Sequence, residues 1–114
     1  MADASSKVVL VTGASSGIGK VIAEHLAKRG FRVFGTSRQA PSAPPTPGAV
    51  EMIALDVDDE ASVQAGIASI VQTAGRLDAV VNNAGNAWMG SVEDTSIAEA
   101  RAQLETNFFG VLRV

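Results

Sequence analysis

The residues that most constrain the fold are Thr12-Gly13-Ala14-Ser15-Ser16-Gly17-Ile18-Gly19, a glycine-rich turn between the apolar run Val8-Val9-Leu10-Val11 and a helical pattern. A strand that turns through glycines into a helix N-terminus aims several free backbone N–H groups at one point. The helix dipole lies behind them, and the geometry suits the pyrophosphate of a dinucleotide. Lys7–Thr12 reads as a strand covered on both faces, as in a parallel sheet. From Gly17 the apolar residues Ile18, Ile22 and Leu26 recur at helical spacing, with small Ala23 and Ala27 on the adjoining face. Lys28-Arg29-Gly30 then supplies cations and a glycine stop, which predicts a helix of about three turns.

Beyond that helix the pattern repeats. Phe31–Ser37 reads as a second strand and Val50–Asp56 as a third. Between them Gln39–Ala49 holds all four prolines of the chain, Pro41, Pro44, Pro45 and Pro47, and is expected to be an irregular surface loop. Asp58 and Asp59 can cap a helix whose apolar face is Val63, Ile67, Ile70 and Val71 and which Gly75 ends. Leu77–Asn82 gives a fourth strand, Asn83-Ala84-Gly85 a turn, and the loop to Thr95 carries the only tryptophan, Trp88. Trp88 and Met89 either line the mouth of a substrate site or pack in the ordinary way. Ser96 and Glu99 stand in capping-box spacing before a last helix with Ile97, Ala100, Leu104, Phe108 and Val111 on its apolar positions. Strands alternating with helices imply an α/β fold of the Rossmann type, a doubly wound parallel sheet. The fourth strand lacks the neighbour such a sheet normally supplies, so residues 1–114 read as the N-terminal part of one domain, truncated after about four strands.

Composition removes several classes of function. With a net charge of −3 and no cluster of Lys and Arg, the chain offers no field for nucleic acid. It contains no cysteine and a single histidine, His25, which excludes disulfides, thiolate catalysis and histidine-cluster metal sites. His25 reads as a surface residue, and helix capping explains Asp58, Asp59 and Glu60 better than metal binding does. Met1–Lys7 is small and polar, and no run approaches the roughly 18 apolar residues of a membrane span. The default expectation is a soluble cytoplasmic protein without a membrane or nucleic-acid partner.

The turn has the spacing T-G-x-x-x-G-x-G and occurs together with Asp56-Val57, Asn82-Asn83-Ala84-Gly85 and Thr106-Asn107-Phe108-Phe109-Gly110. In these motifs, and in their order, the chain from Lys7 to Val114 resembles the N-terminal half of a short-chain dehydrogenase/reductase. A sugar-nucleotide epimerase would instead show a T-G-x-x-G-x-x-G turn. The resemblance implies that Gly13, Gly17 and Gly19 form the cofactor turn, with Ser15, Ser16 and Ile18 against the phosphates or the adjacent ribose. It implies that Asp56 hydrogen-bonds the adenine amino group, that Val57 flanks the adenine, and that Asn83, Ala84 and Gly85 line the cofactor ribose. The plainer alternatives are that Asp56 simply ends a strand ahead of a capped helix and that Asn82 and Asn83 are turn residues.

Cofactor choice turns on the end of the second strand, where an acid would hold the ribose hydroxyls of NAD and repel a 2′-phosphate. The chain has Ser37 and Arg38 there, which favours NADP over NAD, because a guanidinium meets a phosphate with two charge-assisted hydrogen bonds and Ser37 can add a hydroxyl donor. A solvated Arg38 is the plain alternative. The resemblance also makes Asn107 a catalytic position, an asparagine in a distorted helix turn whose main chain holds a water in the proton relay to the active-site lysine. The remaining catalytic groups of such proteins are a serine and a tyrosine four residues before a lysine, all C-terminal to that motif. The chain contains no tyrosine. The expectation is therefore the N-terminal part of an NADP-preferring oxidoreductase that interconverts a small-molecule carbonyl and alcohol by hydride transfer, inactive by itself and homo-oligomeric when complete. The other reading is a non-catalytic dinucleotide-binding or regulatory module.

Overall fold

All four residues of the first strand, β1 (Val8–Val11), are buried, as an apolar run covered on both faces requires. The computed structural model describes residues 6–87 and 89–114. Trp88, expected at a substrate mouth or in ordinary packing, and Met1–Ser5 of the small, polar N-terminal stretch lie outside the described residues. Around β1 run β2 (Arg32–Ser37), β3 (Glu51–Ala54) and β4 (Ala79–Val81), in the order β3-β2-β1-β4 with every pairing parallel. β1, β3 and β4 are shorter at both ends than the apolar pattern suggests, and β2 at its start only, because a ladder ends where its partner ends. β4, paired on one side only, keeps three residues.

The period of two along β1 decides what packs where. Val9 and Val11 meet Ala23 and Ala27 of helix α1 (Gly17–Lys28) on one face of the sheet. Val8 and Leu10 meet Phe34 and Ile70 on the other, Ile70 belonging to helix α2 (Glu60–Ala74). This is the doubly wound arrangement. The buried residues of α1 are Gly19, Ala23 and Ala27, while Ile18, expected on the apolar face, is 74% exposed. Small residues at i, i+4 and i+8 let the helix approach the sheet closely and turn Ile18 outward toward the ends of the strands. In α2 Gly66 takes a buried place against Leu55 and leaves Val71 half-exposed.

The caps follow local chemistry. Asp59, not Asp58, is the N-cap of α2, its carboxylate accepting from the Ala61 and Ser62 N–H groups, and Gly75 at φ +79° closes the helix. Ser96 and Glu99 form the full capping box ahead of helix α3 (Ile97–Leu104). The backbone then widens into a π turn over Glu105–Phe109 before a last turn, α4 (Gly110–Arg113). None of the apolar positions of α3 is buried, and Ile97, Leu104, Phe108, Phe109 and Leu112 are exposed among the described residues. Residues 39–49 contain neither helix nor strand, as their prolines predict.

Asp78 fastens the start of the β1–β4 pair. Its carboxylate accepts from the Val8 N–H at 2.7 Å and from Arg76 at 2.6 Å. The Arg76 guanidinium first, and the Val8 N–H second, hold the Asp78 carboxyl below its usual range. A carboxyl lowered in the folded state stabilises the fold fully above its ordinary pKa of about 3.9, and that contribution fades as the pH falls through the lower folded value. Asp78→Asn is therefore expected to lose stability at neutral pH and to approach the parent as the pH drops below about 4. Urea unfolding at several pH values measures it, and a gap independent of pH would contradict this account.

Candidate functional site

The C-terminal ends of the parallel strands open onto a cleft of about 580 Å³, at the point where the strand order reverses from β1–β2 to β1–β4. Open α/β sheets bind ligands at such a switch point. One wall is the glycine turn, contributing Gly13, Ser15, Ser16, Gly17 and Ile18. Gly13 and Gly17 have φ of +64° and +58°, which a side chain would strain. A Cβ at Gly17 would meet no protein atom within 4 Å, so the backbone there is open to a ligand. Ser16, the N-cap of α1, makes no side-chain cap bond, and no acid stands in the first turn. The free N–H groups and the positive end of the dipole therefore face the cleft unopposed.

Gly19 does not line the cleft. It lies beneath the turn, where a Cβ would come within 2.2 Å of the Gly13 carbonyl oxygen and 2.3 Å of Asn83 Nδ2. Its role is close packing of helix and turn.

The opposite wall is the segment after β4, where Asn83, Ala84, Gly85 and Asn86 line the cleft. The two walls are joined through Thr12, which is buried. Its hydroxyl oxygen accepts from the Asn83 N–H at 3.0 Å and the Ala84 N–H at 2.9 Å, while Asn83 Nδ2 donates to the carbonyls of Thr12 and Gly13, both at 3.1 Å. Asn83 is thus more than a turn residue, and Thr12 is a site-building residue that the sequence reading left as a strand end. Thr36, also unforeseen, is buried at the end of β2, and its hydroxyl accepts from the Gly13 N–H at 3.3 Å.

Ser37, Arg38, Asp56 and Val57 all reach the cleft. Arg38 follows directly on β2 and has no hydrogen-bond or ion-pair partner among the described residues. The Ser37 hydroxyl is engaged with Gln39, donating to its carbonyl at 3.2 Å and accepting from its N–H at 3.0 Å, so a phosphate contact from Ser37 would replace a local bond. Asp56 accepts from the Asp58 N–H through Oδ1 at 2.9 Å, leaving Oδ2 without a partner among the described residues. Val57 is 7% exposed and packs with Leu55 and Val63, so it offers the cleft little side-chain surface.

Asn107 sits in the middle of the π turn and outside the cleft lining. Its side-chain amide clamps the backbone of Asn86, Oδ1 accepting from the N–H at 2.8 Å and Nδ2 donating to the carbonyl at 2.6 Å. A distorted helix turn stands where the resemblance implied one. The side-chain clamp was not foreseen, because nothing in the sequence pairs residues 86 and 107.

A profile of the short chain dehydrogenase family matches residues 7–114. The chain belongs to that family. Short-chain dehydrogenases also supply its structural neighbours. The chain is 41% identical over 108 residues to the 3-ketodihydrosphingosine reductase of Bacteroides thetaiotaomicron, covering 95% of itself and 39% of that protein. A short-chain dehydrogenase from Streptomyces avermitilis superposes with a TM-score of 0.87 at 40% identity, over 96% of this chain and 42% of that one. ElxO with NADP bound superposes with a TM-score of 0.85 at 33% identity, over 95% and 47%. The chain thus spans two fifths to about half of the length of these proteins. Among the described residues no helix is long and apolar enough to cross a membrane, and no group of metal-ligating side chains stands together.

Proposed function

We propose that these residues form the cofactor-binding part of an NADP-preferring oxidoreductase that interconverts a carbonyl and an alcohol by hydride transfer. The observation that carries the reading is the cleft, where an uncapped helix N-terminus, a carboxylate oxygen and an unpaired guanidinium stand around one space at the switch point. Gly13, Ser15, Ser16, Gly17, Ile18 and the α1 N-terminus would hold the diphosphate, Asp56 the adenine amino group, Arg38 a 2′-phosphate, and the backbone of Asn83–Gly85 the ribose. Gly19 keeps the turn against the helix. The bound dinucleotide would supply the hydride, and the proton for the developing alkoxide would come from a phenol, which this chain, with no tyrosine, does not contain. A relative named as a keto reductase and a neighbour that holds NADP support this reading. The protein acts in the cytoplasm as a homo-oligomer, and the exposed apolar side of α3 is the surface that further chain or a second copy would cover.

The test has two parts. A dinucleotide titration of the full-length protein should give tighter binding of NADP than of NAD, with carbonyl reduction on top of it. The 114-residue chain alone should give no carbonyl reduction with either cofactor. Turnover by the short chain would overturn the assignment of the missing acid. A full-length protein that binds NADP without reducing any carbonyl would be the non-catalytic module instead.

A further inference from the structure

A π turn is rare and inserts one extra residue into a helix, so contacts that hold it in place are informative. Here the Glu105 carbonyl accepts from the Gly110 N–H and also from Arg113 Nη1 at 3.3 Å. The same Nη1 donates to the carbonyl of Val57 at 3.0 Å, and Nη2 pairs with the Glu105 carboxylate. Around this guanidinium the two segments touch directly. Thr106 donates its hydroxyl to Asp58 Oδ1 at 2.7 Å, and Gly110 packs so tightly on Val57 that a Cβ would come within 2.9 Å of its Cγ2. Asn107, which clamps Asn86, lies between Thr106 and Gly110.

The geometry points to Arg113 as a positioning residue that sets the register of the π turn on the Asp56–Asp58 loop and so holds the Asn107 amide on the Asn86 backbone. One planar fork meets the carbonyl at each side of the junction through Nη1 and the carboxylate through Nη2, two positions that a single ammonium nitrogen does not occupy together. The two ends of the cleft, the Asp56–Asp58 loop and the segment after β4, are thereby mechanically joined through the π turn. The inference deepens the dinucleotide reading only in its consequence for cofactor affinity. The joint itself is a property of the protein without ligand.

The test is backbone hydrogen exchange in the full-length protein, comparing the parent with Arg113→Met. The Asn86 N–H, bonded to Asn107 Oδ1, should exchange about tenfold faster or more in the variant, while Leu10 and Val11 in β1 keep their protection. Arg113→Lys should behave like Arg113→Met, and it carries the test if the methionine variant does not fold. Unchanged exchange at Asn86 would overturn the inference, and so would a loss shared equally by Leu10 and Val11, which marks general destabilisation. A parallel NADP titration keeps the two readings apart. A parent that binds neither NADP nor NAD counts against the dinucleotide site, whereas the Asn86 comparison is read without ligand.

Discussion

Gly19→Ala is expected to cost the fold about 3 kcal/mol or more, at the upper end of what overpacking does, and to abolish dinucleotide binding. Its Cβ would come within 2.2 Å of the Gly13 carbonyl oxygen and 2.3 Å of Asn83 Nδ2, and both are held in place by other bonds. The Gly13 carbonyl is backbone, and Asn83 cannot move without releasing the Thr12 and Gly13 carbonyls it serves. The helix must therefore lift off the turn, and with it goes the alignment of the N–H groups on the cleft. Gly17→Ala is the natural comparison, since a Cβ there meets open space and the cost is only the left-handed backbone, about 1–2 kcal/mol. Urea unfolding of both variants separates packing from strain. A Gly19 variant no less stable than the Gly17 variant would show that the helix can retreat cheaply.

Arg38→Asp is expected to move cofactor preference from NADP toward NAD by about 1.5–3 kcal/mol, the scale of a charged hydrogen bond and on the order of 10- to 150-fold in the ratio of specificities. Arg38 lines the cleft without a partner among the described residues, so its charge is available to a ligand. Aspartate at the same place would accept from the ribose hydroxyls of NAD and repel a 2′-phosphate. The ratio of kcat/KM for the two cofactors in the full-length protein is the measurement. An unchanged ratio would mean that the guanidinium stays in solvent.

What was legible in the sequence was mostly what is decided within a few residues. The capping box of Ser96 and Glu99, the Gly75 stop and the proline-rich crossover all follow from local backbone chemistry, and each stands where the pattern placed it. The parallel sheet was legible too, because alternating apolar runs and helical periods leave few ways to cover both faces. Periodicity failed where packing distance mattered. Ile18 has the right spacing for the core, but Gly19 is the residue that must touch the turn, and the helix rotates to suit it. The apolar period of α3 is present in the sequence, yet none of its residues is buried among the described residues. Contacts between residues far apart in sequence were beyond reach, as with Asn107 on Asn86, Thr106 on Asp58 and Arg113 on Val57. Each depends on where a helix happens to land on a loop, which no spacing encodes.

The bonds between Thr12 and Asn83 bear on when the cleft acquires its shape. Both loops that flank it are tied by protein groups alone, so the conformational freedom they lose is lost as the chain folds and not again when a ligand arrives. A ligand entering the cleft meets two rims that the protein's own bonds already hold together, so less of its interaction energy goes into ordering them. The same bonds make the rims a single body, so a cofactor that presses on the glycine turn also presses on the segment after β4.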